Sequence, residues 1–260
     1  MSAIENLNKN IEQVDAVFTA IKAKIAAKGI EVPDNINAED YAAKIDEVYE
    51  AGKNTFWNNV TNGWTKTNYA SAFKQWGFEY LRPPMKIRPT SSDSANQTFY
   101  GCPLLKKVEA DCFDFSQKTR GTYSSSGWYY TFYNCKLLEE IEDIGMQPDY
   151  GYYTTFSVGG DGVLRTIGMI RCDENTFFSE TFNYCNVLAN VNFEGVIGQN
   201  INLKWSPLTA DSIRSVITHL SDTASGKTLQ LKKTAVESAF TDEEWATLIA
   251  TKSNWTISLA

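Results

Sequence analysis

The chain has 260 residues, of which 43% are hydrophobic, a formal net charge of −7 and an isoelectric point near 4.9. This hydrophobic content is typical of a folded protein and too high for a disordered one. Nucleic acids and anionic membranes both require clustered Lys and Arg, which this acidic composition does not favour. We therefore expect neither nucleic acid nor a membrane as a partner.

The first ten residues do not have the basic and then apolar pattern of a secretion signal. No stretch in the sequence approaches eighteen continuous apolar residues, the length needed to span a bilayer. We expect a protein that is made in a cytoplasm and either stays there or leaves it only as part of an assembly.

Five cysteines occur, at Cys102, Cys112, Cys135, Cys172 and Cys185. Their number is odd and no CxxC motif is present, so a disulfide framework or a zinc site is not favoured. The sequence predicts buried, reduced thiols, no metal site and no cofactor.

Residues 1–53 have the pattern of a helical attachment and oligomerisation segment. Its apolar residues are three and four positions apart, which is the seam of a coiled coil. The seam consists of Ile4, Leu7, Ile11, Val14, Phe18, Ile21 and Ile25. β-Branched residues at both core positions favour a homo-oligomer of three or four strands, with a trimer preferred. A second helix, from Asn37 to Gly52, leaves a monomeric hairpin open as the alternative.

Residues 54–202 contain an internal repeat, T-F-x-x-C-x-x-L-x-x-[VI], at 98–108, 131–141 and 181–191. Two weaker copies of the repeat surround Phe73 and Phe156. In the first of these copies, Trp76 lies near the Cys position. The five phenylalanines, at 73, 99, 132, 156 and 182, are 26, 33, 24 and 26 residues apart, close to the period of leucine-rich repeats. One repeat cannot bury its own apolar edge, so neighbours must cover it. The predicted repeat core is Phe99, Cys102, Leu105, Phe132, Cys135, Leu138, Phe182, Cys185 and Leu188.

Residues 203–260 are predicted to form an α+β cap on the repeats. A helix begins at Thr209 or Asp211, a short strand covers 228–231, and a second helix begins at Thr241. The alternation of residues 255–259 predicts a final strand.

The repeat unit resembles the BspA-type leucine-rich repeat of bacterial and bacteriophage proteins, and the flanking sequences resemble phage-encoded members from Gram-positive hosts. The resemblance implies an α+β fold with an irregular leucine-rich-repeat β-solenoid between the helical segment and the cap. It also implies a virion structural protein of a tail, baseplate or head fibre, with other virion proteins as partners. Such a protein would present the repeats for assembly or for binding a glycan or protein of the host surface.

Two other classes of function remain open, a bacterial surface adhesin and, less favoured, a polysaccharide depolymerase. Cleavage of a glycoside requires two carboxylates that face each other across a cleft. The acidic pairs here are adjacent in sequence, at 139–140, 142–143 and 243–244, and the single histidine, His219, lies in a predicted helix. The sequence therefore predicts a protein that is not an enzyme. The glycine-rich run at 159–162 is interpreted as a tight turn.

The longest interval between repeats, at 121–130, is rich in Tyr, Ser, Gly and Trp, as are the binding loops of antibodies. The candidate binding residues here and in the next interval are Tyr123, Trp128, Tyr129, Tyr150 and Tyr152. Exposed rings would stack on sugars or pack against a virion subunit. The alternative is that they fill an irregular core.

Overall fold

The computed structural model describes residues 19, 22–23, 71–82, 87, 95–110, 112–116, 120 and 127–260. The chain divides into two compact units, Met1–Gly63 and Trp64–Ala260. In the first unit, Thr19, Lys22 and Ala23 are helical. The seven residues of the predicted seam and the whole predicted second helix lie outside the described residues. The oligomerisation segment therefore stays a prediction.

The second unit combines helices and strands. Its elements are β1 (Tyr80–Leu81), β2 (Lys107–Val108), β3 (Glu140–Ile141), β4 (Thr166–Cys172), β5 (Asn190–Gly195), β6 (Ile201–Leu203), α1 (Ala210–Thr218), β7 (Lys227–Leu231), α2 (Lys233–Ala239), α3 (Asp242–Ala250) and β8 (Trp255–Leu259). Strands β1 to β5 form one sheet in chain order and β6 to β8 form a second. All of these strand pairs are parallel.

Each repeat contributes one strand to the five-stranded sheet. The last apolar position of every repeat falls in register with that of the next, and all of these side chains are buried. This column consists of Leu81, Val108, Ile141, Ile167 and Val191. The short strands are held by this shared burial, since two-residue strands have little intrinsic stability.

The repeat phenylalanines form a second column, with neighbouring rings nearly parallel. Ring centroids are 5.5 Å apart for Phe73–Phe99, 5.4 Å for Phe99–Phe132, 6.2 Å for Phe132–Phe156 and 5.9 Å for Phe156–Phe182. The five rings are at most 1% exposed, and each such burial stabilises the fold by about 1.5–3 kcal/mol. The structure places all nine residues of the predicted repeat core in the interior.

The Thr and Cys of the motif hydrogen-bond to the preceding repeat. The Sγ atoms of Cys102, Cys135 and Cys185 donate to the carbonyl oxygens of Phe73, Phe99 and Phe156, at 3.0, 3.0 and 3.1 Å. The hydroxyls of Thr131, Thr155 and Thr181 donate to Ala95, Trp128 and Tyr152 in the same way, at 2.8, 2.6 and 2.8 Å. The cysteine was predicted only as a small apolar filler, but its thiol also satisfies a buried carbonyl.

The backbone bends sharply on both sides of the five stacked phenylalanines, which we call the ladder phenylalanines. The residues two positions before them have positive φ, between 53° and 58°, namely Ser71, Gln97, Tyr130, Thr154 and Glu180. Most of the residues two positions after them do as well, at 62°, 64°, 57° and 62° for Gln75, Gly101, Asn134 and Tyr184. A non-glycine residue pays about 1–2 kcal/mol for this conformation, so the stacked contacts must offset that strain.

Two details concern the weaker repeats. Trp76 does not fill the buried Cys position, because it is 37% exposed and packs edge-on against Phe73 at 5.2 Å. The predicted glycine turn is present, with the Gly162 amide donating to the Gly159 carbonyl at 2.9 Å. Asp161 in this turn pairs with Lys136 of the preceding repeat at 3.0 Å.

The cap elements agree with the sequence except for one helix. The Thr209 side chain caps α1, Thr241 and Glu244 form a capping box at α3, and β8 has the predicted bounds. Helix α2 was not predicted. Its cap residue, Lys232, makes no side-chain capping hydrogen bond, so the usual signal for a helix start is missing from the sequence.

Helix α1 closes the open edge of the five-stranded sheet. The backbone amides of Val191 and Phe193 in β5 donate to the hydroxyls of Ser212 and Ser215, at 2.9 and 3.0 Å. These serines lie three positions apart on one helix face, so they match the two-residue spacing of amides along the strand. Two serines thus replace the next strand as hydrogen-bond acceptors and protect the edge.

We predict that the Ser212→Ala, Ser215→Ala double variant is destabilised by about 2–4 kcal/mol, because two strand amides lose their acceptors. Urea unfolding followed by circular dichroism measures this change. The control is Ser238→Ala in α2, whose hydroxyl donates only to a carbonyl within its own helix. If the double variant is no less stable than this control, the serines do not cap the sheet.

Candidate functional site

Five tyrosines form a cluster on the surface of the repeats, which we call the tyrosine platform. It consists of Tyr100, Tyr129, Tyr130, Tyr133 and Tyr153, each partly exposed. Tyr129 and Tyr153 stack with centroids 5.3 Å apart and planes at 12°. Tyr100 and Tyr133 lie 5.1 Å apart at the other end. Tyrosine rings offer apolar faces and polar tips together, which suits them to recognition surfaces.

The repeat pattern explains why these rings reach the surface. Tyr100 and Tyr133 each follow a ladder phenylalanine directly, and a residue next to an inward side chain tends to point outward. Tyr129 and Tyr153 occupy equivalent positions, three residues before Phe132 and Phe156. Stacked repeats therefore bring chemically identical side chains side by side.

Tyr130 is the centre of the platform. Its ring centroid lies 4.3 Å from that of Tyr129, 4.9 Å from Tyr133, 5.6 Å from Tyr153 and 6.1 Å from Tyr100. Its φ of 55° is a strained conformation for a bulky residue. The corresponding residues of the other four repeats have the same conformation, so the turn that presents this ring is a property of the repeat.

Two platform tyrosines have shifted pKa values, and a cation lies against a third. Burial, and next the neighbouring phenol, raises the pKa of Tyr129 and of Tyr130, so both hydroxyls are neutral at neutral pH and can donate and accept hydrogen bonds. The Lys74 ammonium lies 4.4 Å from the ring centroid of Tyr100, a cation–π contact.

A pocket of about 180 Å³ adjoins the platform. Its lining residues are Tyr150, Gly151, Tyr153, Phe177 and Ser179. Tyr150 and Phe177 stack with centroids 5.2 Å apart, and Phe177 is 42% exposed. Tyr153 belongs to both the pocket and the platform, which makes the two continuous.

The binding residues predicted from sequence do not all reach this surface. Tyr129 and Tyr150 do, and Tyr123 lies outside the described residues. Trp128 and Tyr152 are fully buried, with ring centroids 6.2 Å apart, and the Tyr152 hydroxyl donates to the Arg171 carbonyl at 2.7 Å. For these two residues the prediction of partner contact is corrected, because they occupy a second buried aromatic column.

Tyr130 lies in the aromatic interval at 121–130 and Tyr153 lies in the next interval, so the sequence pointed to both segments without naming these two as binding residues. Tyr100, Tyr133 and Phe177 were missed, and the first two lie within the repeat motif itself rather than in an interval between repeats. The signal for Tyr100 and Tyr133 in the sequence was a tyrosine at a variable position of the motif, directly beside a fixed residue that points inward. Such a position is expected to lie on the surface.

Three of the six carboxyls in the adjacent acidic pairs are held in ion pairs. Glu140 and Glu142 both pair with Lys107, at 3.0 and 2.6 Å, and Asp143 pairs with Arg171 at 2.7 Å. The hydrogen bond from the Ala110 amide lowers the pKa of Glu142 most, and the ion pair with Lys107 lowers it further. The hydrogen bond from Arg171 lowers the pKa of Asp143. A general acid requires a raised pKa, so these carboxyls do not fit that role.

Two further candidates, Glu244 and His219, have structural contacts. Glu244 caps α3, and the Thr241 backbone amide lowers its pKa. The Nδ1 atom of His219, the residue at the end of α1, lies 2.7 Å from the Ser215 carbonyl oxygen.

All five cysteines are buried, and none forms a disulfide. Burial raises the pKa of Cys172 and of Cys185 to about 12, so both are protonated thiols at neutral pH. Within the described residues, no group of three or more His, Cys, Asp or Glu is placed to hold a metal ion. No helix in that part of the chain combines the length and apolarity needed to cross a membrane.

Comparisons with known proteins give one partial likeness. The family model described as "Resuscitation-promoting factor Rpf1, C-terminal" matches residues 3–63, about a quarter of the chain. The match coincides closely with the first compact unit and stops before the repeats. No curated protein and no solved structure matches the chain significantly.

We predict that Tyr130→Gly is more stable than Tyr130→Ala by about 1 kcal/mol, because only glycine adopts the left-handed conformation without a steric penalty. Thermal unfolding of the two variants measures the difference. The same pair of substitutions at Tyr133, whose φ is not positive, should give the opposite order, since alanine is the less flexible residue there. The same order at both positions would contradict strain at Tyr130.

Proposed function

We propose that this chain is a non-enzymatic recognition protein of a bacteriophage virion, part of a tail, baseplate or head fibre. In this proposal the repeats are a BspA-type leucine-rich-repeat solenoid that binds a host-surface glycan or protein. The N-terminal segment attaches the protein to other virion proteins as a homo-oligomer. The observation that carries the proposal is the tyrosine platform, a continuous aromatic surface built on regularly stacked repeats.

The solenoid reading is supported by the way successive repeats stack. The chain adds one parallel strand per repeat, in chain order, and aligned columns of Phe and of Val, Ile and Leu run through the stack. Repeats that contact only their neighbours in this manner are typical of solenoids, as is a terminal cap such as α1.

The recognition role is supported by the chemistry of the platform. Rigid tyrosines provide a large contact area at a low cost in side-chain entropy, and their hydroxyls adapt to different hydrogen-bonding partners. Three of the candidate carboxylates, Glu140, Glu142 and Asp143, are already paired with Lys107 or Arg171, which favours binding over cleavage.

A modular N-terminal attachment is supported by the extent of the partial family match. The match covers residues 3–63 and ends where the first compact unit, Met1–Gly63, ends. A unit that is compact by itself and matches a family model without the repeats has the properties of a separable module. Several copies held together would raise the effective concentration of weakly binding platforms.

We predict that particles assembled with the Tyr129→Ala, Tyr153→Ala chain adsorb to host cells at least tenfold more slowly, because the stacked centre of the platform is lost. The control is Tyr80→Ala, which removes an exposed ring outside the platform. Mass spectrometry of purified particles establishes that each chain is incorporated. Absence of the chain from particles, or normal adsorption by the platform variant, would refute the proposal.

We predict that removal of residues 1–28 converts the oligomer to a monomer, because the heptad seam is deleted. Light scattering of the intact and truncated chains measures their masses. The Trp64–Ala260 unit should keep its thermal transition, since it has its own buried columns. An unchanged oligomeric mass after truncation would place self-association elsewhere.

A further inference from the structure

We infer that the pocket lined by Tyr150, Tyr153 and Phe177 is a subsite for an uncharged sugar ring, and that pocket and platform together bind a linear neutral oligosaccharide. This inference rests on the proposed recognition function and names its class of ligand. It distinguishes a glycan from a protein on the host surface, which the proposed function alone leaves open.

The walls of the pocket suit a sugar ring. Two stacked aromatic side chains, Tyr150 and Phe177, and a third ring from Tyr153 provide faces against which the C–H groups of a pyranose pack. The phenol groups and the Ser179 hydroxyl can both donate and accept, which matches the mixed donors and acceptors of a sugar.

Gly151 keeps the backbone close to Phe177. A Cβ atom at this position would lie 3.1 Å from the Phe177 carbonyl oxygen and 3.4 Å from its Cβ. Gly151 and Phe177 form a parallel β-bridge. This backbone pairing fixes the position of Phe177 in the pocket wall. A pre-formed pocket of this kind loses little entropy when it binds a ligand.

The uncharged lining of the pocket, as far as the described residues go, indicates a neutral ligand. Its five described lining residues include no carboxylate, ammonium, guanidinium or imidazole group. A charged sugar would lose hydration there without gaining a countercharge, which is unfavourable. A peptide segment rich in charged residues is disfavoured for the same reason.

The continuity between pocket and platform indicates an extended ligand. Tyr153 lines the pocket and stacks on Tyr129, and Tyr130 continues the surface to Tyr133 and Tyr100. These rings belong to successive repeats, so a ligand that touches all of them must cross the stack. A chain of sugar rings meets this requirement, and a single sugar does not.

The test is an array of linear oligosaccharides, from one to six rings, that presents neutral glucans, galactans, mannans and N-acetylglucosamine oligomers beside charged glucosamine and galacturonate oligomers. We expect the full chain to bind a neutral series, with affinity that rises with the number of rings. Calorimetric titration of the best neutral oligomer should show about tenfold weaker binding for Phe177→Ala and for Tyr150→Ala.

Two controls separate a pocket from general surface aromaticity. Phe177→Tyr keeps the stacking face and should retain wild-type affinity. Trp205→Ala removes a 40% exposed ring that stacks on Tyr184, outside pocket and platform, and should leave binding unchanged. Thermal transitions check that each variant is folded. Equal loss of binding in Phe177→Ala and Trp205→Ala would overturn the inference, as would binding confined to charged oligomers.

The outcome also separates this inference from the proposed function. If no neutral oligosaccharide binds while the Tyr129→Ala, Tyr153→Ala particles still adsorb slowly, the recognition role stands and the sugar subsite is refuted. If adsorption is normal in those particles, the recognition role itself fails.

Discussion

The stacking of one buried phenylalanine on the next is the interaction on which the second unit depends. Neighbouring ladder rings lie 5.4 to 6.2 Å apart, so the spacing between repeats is fixed at the core. Strands of only two residues, such as β2 and β3, and left-handed residues on both sides of most ladder rings are unfavourable locally. They are tolerated because the columns of Phe, Leu and Val or Ile supply the burial that those short segments cannot supply alone.

The same regularity accounts for the tyrosine platform. A motif that directs its Phe inward leaves the neighbouring positions outside, and the stack then repeats those positions at a fixed spacing. Tyr129 and Tyr153 are therefore parallel for the same reason as Phe132 and Phe156. A surface built in this way needs no loop ordering before it binds, so its entropic cost of recognition is low. The left-handed turn that presents Tyr130 is likewise shared by the corresponding residues of all five repeats.

The repeat core and most of the cap could be predicted from sequence because both have local signals. The fixed spacing of Phe132, Cys135 and Leu138 identified the inward positions, and Thr241 with Glu244 identified the start of α3. Helix α2 has no side-chain cap, so it gave no such signal. The exposure of an aromatic ring was the least predictable property. Trp128 and Tyr129 are adjacent in the same aromatic run, yet one is buried and the other partly exposed, because each occupies a different column of the stack.

The hydrogen bonds between repeats show why Thr and Cys, rather than larger apolar residues, recur in the motif. Each stacked turn leaves backbone carbonyls in the interior, and a carbonyl oxygen that accepts one backbone amide within its turn still has a second lone pair. The Thr131 hydroxyl and the Cys135 thiol reach back to carbonyls of the previous repeat while remaining small enough for the core. At β5, the edge strand of the five-stranded sheet, the backbone amides need acceptors, and Ser212 and Ser215 of α1 provide them. Small hydroxyl and thiol side chains thus satisfy the backbone both within the repeats and at their end, beside the large aromatic residues that fill the same core.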